Sequence, residues 1–442
     1  MLFRLSSMCI LSLMALLFTA HSAKAGDTQG ADWVQFRGPR STGVSTAAHL
    51  PLTWSETENL RWKAELPGAG ASSPIVLGDR IFVTCYSGYG LPKSNGGDMK
   101  SLQRQIVCIS RDSGQTLWAN TVAGELPEDQ YQGYLSEHGY ASGTPVTDGE
   151  RVYCFFGKSG VVAYDLEGKP LWKSGVGKES SNRRWGSGAS LILYKNMVIV
   201  NASEESQSLR ALDQKTGKEV WKAAGAAMEL AYGTPALVEL ASGRTDLVVA
   251  VPGETWGLNP DTGKIRWFEE HTLTGNICPS IVADGETVYV FGGFRSAGSL
   301  SLRLNGSTDA KKPQVLWTSR NSSYVATPAL FEGHLYWVDD RGQAFCINAK
   351  TGEPVYRERV TGLDAGGRPV YASPIVADGK IYIPSRWNGV LVLAAKPKYE
   401  VLAQNRFASD ESDFNATPAI CGSDVILRSN RFLYCVSESK PR

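Results

Sequence analysis

A four-beat pattern repeats along nearly the whole chain and restricts its possible folds more than any other feature of the 442 residues. The first beat is a small residue and a proline opening an apolar strand. It occurs as Ser73-Pro74-Ile75-Val76, Thr144-Pro145-Val146, Thr234-Pro235-Ala236-Leu237 and Cys278-Pro279-Ser280-Ile281. It returns at Thr327-Pro328, Ser373-Pro374 and Thr417-Pro418, and without the proline at Gly188-Ala189-Ser190-Leu191. The second beat is a turn, often Asp-Gly, followed by an alternating strand, as in Asp378-Gly379-Lys380-Ile381-Tyr382-Ile383. Asp-Gly between β-rich runs marks a hairpin, because glycine accepts positive φ without steric cost. The third beat is a short strand ending in Asp or Asn and then Thr-Gly, as in Ala211-Leu212-Asp213…Thr216-Gly217. The fourth is a strand carrying an aromatic a few residues past that glycine. Trp118, Trp172, Trp221, Trp267, Trp317 and Tyr356 fill this slot, and in the seventh unit it falls near Leu402.

The opening steps recur about every 45 residues, the period of a four-stranded propeller blade. A single blade cannot bury both its faces, whereas blades stacked around an axis can. The pattern therefore predicts an all-β, eight-bladed β-propeller of four-stranded antiparallel blades. The eighth unit ends after its third strand at Cys435-Val436, while Asn59–Glu65 near the N-terminus reads as an outer strand without a blade. Trp62 matches the aromatic slot, so this N-terminal strand is expected to complete the last blade and close the ring. Each docking aromatic should rest on the neighbouring blade, with the Thr-Gly turn making room for it. Cys108, Cys346 and Cys435 align with Ala163, Ala211 and Gly257 at a small packed position, which predicts buried free thiols rather than disulfides.

The first 25 residues read as a secretory leader: basic Arg4, an apolar run from Met8 to Ala20, and the cleavage signal Ala23-Lys24-Ala25. The expected organisation is a leader (1–25), an N-terminal extension (26–56) and one propeller (57–442). An insertion at 86–105, rich in Gly, Ser and Lys, reads as a surface loop. No cysteine follows the cleavage point directly, so a secreted or periplasmic protein without a lipid anchor is expected. The formal charge of +1 falls to −1 without the leader's Arg4 and Lys24, which gives no argument for nucleic acid as a partner. No transmembrane segment is expected in the mature chain, and oligomeric state is not readable from the pattern.

The pattern Ala/Cys-Leu-Asp-x-x-Thr-Gly-x-x-x-Trp resembles the tryptophan-docking repeat of the pyrroloquinoline quinone (PQQ) propeller superfamily, and does so from Trp62 to Val436. The resemblance implies eight blades. It spans PQQ- and calcium-dependent dehydrogenases and cofactor-free scaffolds of outer-membrane-protein assembly, so it does not by itself choose a function. The vicinal Cys-Cys pair of the dehydrogenases is absent, as are their long covering insertions. The segment Phe36-Arg37-Gly38-Pro39 resembles a group of exported bacterial PQQ-like repeat proteins of undefined function.

In a propeller, the loops leading into the innermost strands and those joining strands two and three share one face. Those loops hold His138, Tyr140, Arg183, Arg184, Trp185, Glu204, Glu254, Trp256, Asn276, Asp339, Arg341, Arg386 and Trp387. Rings for stacking and arginine forks for carboxylates compose a binding funnel. The bland alternative is that these residues are solvated loop positions and blade-to-blade ties. Three functional readings follow. The first is a non-catalytic propeller binding a protein or small-molecule partner over the funnel. The second is a PQQ- and calcium-dependent oxidoreductase, with Glu204, Glu205, Glu254, Asn276 and Asp339 as candidate oxygen ligands. The third is carbohydrate binding through Trp185, Trp256 and Trp387. No cofactor is assigned from the residues alone. His49, His138, His271 and His334 show no metal-ligand spacing, and only Glu137-His138 is placed for acid–base work.

Overall fold

A computed structural model describes residues 32–92, 96–306, 312–363 and 367–438, so the leader lies outside the described residues. Eight sheets of four antiparallel strands form the ring. Blade 1 runs from Ile75–Leu77 to Thr116–Ala123, and blade 2 from Val146–Thr147 to Pro170–Ser174. Blades 3 to 7 follow in order, the last ending at Val401–Asn405. In blade 8, Ala419–Cys421, Asp424–Arg428 and Phe432–Ser437 are joined by Leu60–Glu65 as the fourth strand. That strand pairs Trp62 with Cys435 and Glu65 with Phe432, so the two ends of the ring are one sheet. No helix among the described residues is long and apolar enough to cross a membrane. The helices to be named below are single turns, Leu135–His138 and Ser203–Ser206.

Across each outer strand pair, a small residue faces the docking aromatic. Cys108 faces Trp118, Ala163 faces Trp172, Ala211 faces Trp221, Gly257 faces Trp267, Cys346 faces Tyr356 and Cys435 faces Trp62. The thiols are therefore packing atoms, and every described cysteine is free. In blade 7 the slot is Ala403 opposite Val392, one residue beyond the expected Leu402. That blade therefore has no aromatic in the slot.

Each ring then reaches the next blade. The indole N–H of Trp62 donates to the Arg111 carbonyl at 2.7 Å, and those of Trp118, Trp172, Trp221 and Trp317 donate to carbonyls of Leu166, Gln214, Pro260 and Ala349 at 2.9 Å. The turn glycine of that next blade lies flat on the ring. A Cβ on Gly217, which has φ +68°, would sit 2.4 Å from Trp172, so neither its backbone nor its surroundings admit a side chain. Trp267 departs from the rule and donates to Asp246 within its own blade at 2.8 Å.

The opening step of each unit has a further role. The Ser73 N–H donates to the Thr144 hydroxyl, Thr144 to Ser190, Ser190 to Thr234, Thr234 to Ser280, Ser280 to Thr327, Thr327 to Ser373 and Ser373 to Thr417, all at 2.9–3.1 Å. A belt of hydroxyls thus lines the axis and satisfies backbone donors of neighbouring blades. In the fifth unit the belt residue is Ser280, two positions after the expected Cys278. Cys278-Pro279 mimics the motif but precedes it.

The extension fills the channel beside this belt. Trp33 exchanges both backbone hydrogen bonds with Val76 of blade 1, and the Val34 carbonyl accepts from Thr147 of blade 2. Gly43 and Ser45 bond to Val376 of blade 7. Arg37 is fully buried and donates to the carbonyls of Thr327 (2.6 Å) and Pro328 (2.7 Å) in blade 6, and of Thr42 (2.9 Å). Gly38 lets the chain turn under Trp33, since a Cβ there would sit 2.6 Å from the indole.

Candidate functional site

Above the hydroxyl belt lies an axial chamber of about 180 Å³. Its floor includes Phe36 of the extension, and its walls carry Trp185, Tyr232, Tyr324 and Tyr371. Its roof comes from the connection between blades 1 and 2, residues 124–145, which folds inward around the single turn Leu135–His138. Tyr134 packs on Trp185 at 4.4 Å between ring centroids and on Tyr324 at 6.1 Å. Glu137 reaches across the axis to Arg386 at 2.6 Å, and its carbonyl accepts from the Asn415 amide at 2.8 Å. Non-equivalent blades are thus tied together over the chamber.

The insertion of blade 1 buttresses this roof. Its ends are strand, Arg80–Ser87 and Gln103–Ser110, so the loop proper is shorter than the 86–105 expected from composition. Tyr89 and Leu102 are buried with Tyr86, Leu135 and Tyr140 in one apolar cluster, so the insertion packs on the roof while Gly97, Asp98, Lys100 and Ser101 remain exposed. Tyr140 is held there by Tyr86 at 5.4 Å and donates to the Asp129 carbonyl at 2.7 Å. Residues 93–95 of the insertion lie outside the described residues.

His138 lines the chamber, but both ring nitrogens are engaged. Nε2 donates to the Trp185 carbonyl at 2.9 Å, which leaves Nδ1 to accept from the Ser142 hydroxyl. Burial pulls its pKa down to about 4, so the ring is neutral at ordinary pH. Glu137 pairs with Arg386, so the adjacent Glu137-His138 does not form an acid–base couple.

The other sequence candidates fall into six separate places. Glu204 and Glu205 sit on the buried turn Ser203–Ser206. Glu204 accepts from the Ser181 and Tyr232 hydroxyls at 2.6 Å each. Glu254 accepts from the Trp256 indole at 2.5 Å, and Trp256 is buried in the blade 3–4 core. The Asn276 amide is spent on Cys278 at 3.2 Å. Asp339 and Arg341 line a cleft at the blade 5–6 rim. Arg386 and the adjoining Trp387 both bond Asp413, at 2.9 and 3.0 Å, and Trp387 is 39% exposed. Arg183 lies 5.8 Å over Trp185, while Arg184 is an exposed residue at φ 53°. Tyr134, Arg320, Arg357 and Arg368 were not among the sequence candidates. Arg357 lies on the outer strand Pro354–Arg359 beside the slot residue Tyr356, whereas the other three lie in connections between blades, of which only the length of 124–145 hinted at a special role.

Glu205 carries the strongest electrostatic signal. Burial, reinforced by Glu204 and Glu128, pushes its pKa up to about 7 against the Ser187 hydrogen bond, and one carboxyl oxygen lacks a hydrogen-bond partner. A carboxyl that holds its proton more tightly when folded stabilises the fold at low pH. That contribution is whole below about pH 4.5 and is lost as pH rises through about 7. His138 acts in the opposite sense: its contribution is whole above pH 6.5 and is lost as pH falls towards 4. Glu205→Gln removes the cost of keeping that buried carboxyl ionised, about 3 kcal/mol at pH 8. Leaving one amide donor unmatched costs about 1 kcal/mol. The variant should gain about 2 kcal/mol in urea unfolding at pH 8 and lose that gain by pH 5. An equal offset at both pH values would refute the assignment.

A family described as outer membrane protein assembly factor BamB matches residues 103–330 and 306–397 of the chain. A polyvinylalcohol dehydrogenase from a Pseudomonas species is 23% identical over 466 aligned positions, covering 78% of this chain and 72% of that protein. A tetrathionate hydrolase from Acidithiobacillus ferrooxidans is 28% identical over 128 positions, only 25% of this chain and 26% of that one. The structure of BamB from Moraxella catarrhalis aligns with a TM-score of 0.57 at 14% identity, over 86% of this chain and 99% of that one. A europium-containing methanol dehydrogenase aligns with a TM-score of 0.63 at 13% identity, over 90% and 89%. Structural likeness at such identities speaks for the fold alone.

Proposed function

Because the chain belongs to the PQQ-like repeat family of outer membrane protein assembly factor BamB, we propose that it is a non-catalytic binding propeller that holds a protein partner over its loop-bearing face. One contrast carries the reading. The axial chamber is roofed and its one carboxylate, Glu137, is already paired with Arg386, while charged and aromatic side chains open to solvent stand on the rim around it. The apolar leader favours action outside the inner membrane, in the periplasm or beyond.

The dehydrogenase reading asks for a different chamber. PQQ carries three carboxylates, yet no lysine or arginine is among the residues lining the chamber. Its one carboxylate, Glu137, is already paired with Arg386. The candidate calcium donors are spread over the Ser203–Ser206 turn (Glu204 and Glu205), blade 4 (Glu254), the connection after it (Asn276) and blade 6 (Asp339), and each already holds a hydrogen bond. Among the described residues, no group of three His, Cys, Asp or Glu side chains could hold a metal. The residues present do not fit the quinone with calcium. Carbohydrate stacking also loses its platform, because Trp256 is buried, Trp185 is a chamber wall and Trp387 stands alone.

The discriminating test is thermal unfolding of the mature protein with PQQ and Ca²⁺. No shift, and no dye-linked oxidation of alcohols, is expected. A rise of several degrees that disappears in Arg184→Ala or Glu254→Ala would overturn the proposal. In parallel, a photo-cross-linker at Trp387 in cells should trap a discrete protein whose purified form binds the propeller. A cross-linker at Val220, on an outer strand, should not trap it.

A further inference from the structure

The rim cleft between blades 5 and 6 concentrates positive charge in a chain that is otherwise balanced, with 45 basic and 44 acidic residues. Its lining holds five arginines, Arg295, Arg320, Arg341, Arg357 and Arg368, against two aspartates. The opening encloses about 440 Å³, more than twice the chamber's space. Two of the arginines are already oriented. Arg368 pairs with Asp340 at 2.9 Å and lies over Tyr324 at 4.7 Å. Arg357 bonds the Gln343 side chain at 2.6 Å and lies over Phe345 at 5.2 Å.

The other three guanidinium groups make no hydrogen bond or ion pair among the described residues. Arg341 uses only its backbone, donating to Asp339 and accepting from Arg359. Arg295 is held at φ 74° by the tight hairpin after Gly293, a conformation that a non-glycine residue rarely adopts. Phe294 is exposed beside it. Two aspartates against five arginines leave the cleft with excess positive charge: Asp340 is paired with Arg368, and Asp339 accepts from the Arg341 and Gln343 backbone N–H groups.

We propose that this cleft binds an acidic polypeptide segment, with guanidinium forks taking successive Asp or Glu carboxylates and the rings of Phe294 and Tyr324 covering their stems. Arginine's planar fork matches carboxylate geometry in a way that a diffuse surface charge does not. The cleft is open along the rim and its five arginines come from separate stretches of chain, which suits an extended chain better than one compact anion. The inference rests on the partner-binding reading of the loop face and names the chemistry of that partner.

The test is fluorescence anisotropy of the mature protein with labelled hexaglutamate at low salt. Hexaglutamate should bind and labelled hexaglutamine should bind at least about tenfold more weakly. Arg295→Ala and Arg320→Ala should each weaken hexaglutamate about tenfold with unchanged thermal midpoints, while Lys218→Ala, on an exposed turn, should not. Equal binding of the two peptides overturns the proposal, as does wild-type affinity in both arginine variants. Displacement of hexaglutamate by glutarate at equal carboxylate concentration would reassign the cleft to a free dicarboxylate, and displacement by oligo(dT) to a general polyanion. Either outcome overturns the polypeptide claim. The Trp387 cross-link reports the parent reading separately, since a partner can still be trapped there when the cleft fails.

Discussion

Deleting residues 57–66, or replacing them with a Gly-Ser linker of equal length, should abolish cooperative unfolding. The removed strand is the fourth of blade 8, although it precedes blade 1 in the chain. Its loss strips the ladder from Phe432–Ser437 and leaves that strand as an open edge. It also removes Trp62 from its seat on blade 1, where the indole bonds Arg111 and lies against Gly114. Burying one tryptophan and one leucine contributes about 4–5 kcal/mol, and the ladder bonds about 1 kcal/mol each. That total is comparable with the whole stability of an ordinary domain, about 5–15 kcal/mol. The remaining ties across the seam cannot replace it. Arg428 of blade 8 donates to Ser72 and Thr84 of blade 1 at 2.7 Å, and Arg111 reaches Asp424 at 2.9 Å. Both need blade 8 already packed beside blade 1. Circular dichroism and urea titration provide the check, and a synthetic 57–66 peptide should restore part of the transition. A linker variant that melts like the natural chain would disprove closure by this strand.

What the residues revealed beforehand follows a physical line. A repeat reports what every blade shares, so blade number, the docking aromatics, the thiol positions and the closure at Trp62 could all be read from it. It misled where a local motif imitated a shared one. Cys278-Pro279 looks like the opening step, but Ser280 supplies the hydroxyl, because only that residue lies within reach of the neighbours Thr234 and Thr327. Contacts across the axis join loops that are not equivalent, and no period encodes them. Glu137 meeting Arg386, or Tyr134 meeting Tyr324, depends on how far the 124–145 connection folds inward. For the same reason the funnel candidates do not share one place. His138 and Trp185 line the chamber and Arg341 the cleft, whereas Glu254 and Trp256 satisfy one another.

Arg37→Ala should cost about 4 kcal/mol of stability and loosen the channel. The side chain donates to three carbonyls from full burial, with no carboxylate beside it. Burial alone draws its pKa down, yet a guanidinium keeps its proton in proteins. Removing it relieves a buried charge, which favours the variant. Against that, three carbonyls lose charge-assisted bonds worth about 1.5 kcal/mol each, and a void opens where the side chain stood. The second effect dominates because these bonds fix the extension to the Thr327 and Pro328 carbonyls of blade 6, beside the apolar contact that Val44 makes there. Arg37→Met fills the void without restoring the bonds, so it should lose about 2–3 kcal/mol. Arg37→Lys should rescue little, since one ammonium cannot span two adjacent carbonyls as a fork does. Hydrogen exchange should quicken at Trp33, Ser45 and Val376, whose amides bond between the extension and the inner strands. Phe36 is part of the chamber floor, so the same loosening admits water to Trp185 and Tyr232 from below. If Ala, Met and Lys variants all unfold within about 1 kcal/mol of the natural chain, with amide exchange unchanged, the extension lies on the channel without holding it, and Phe36-Arg37-Gly38-Pro39 has another purpose.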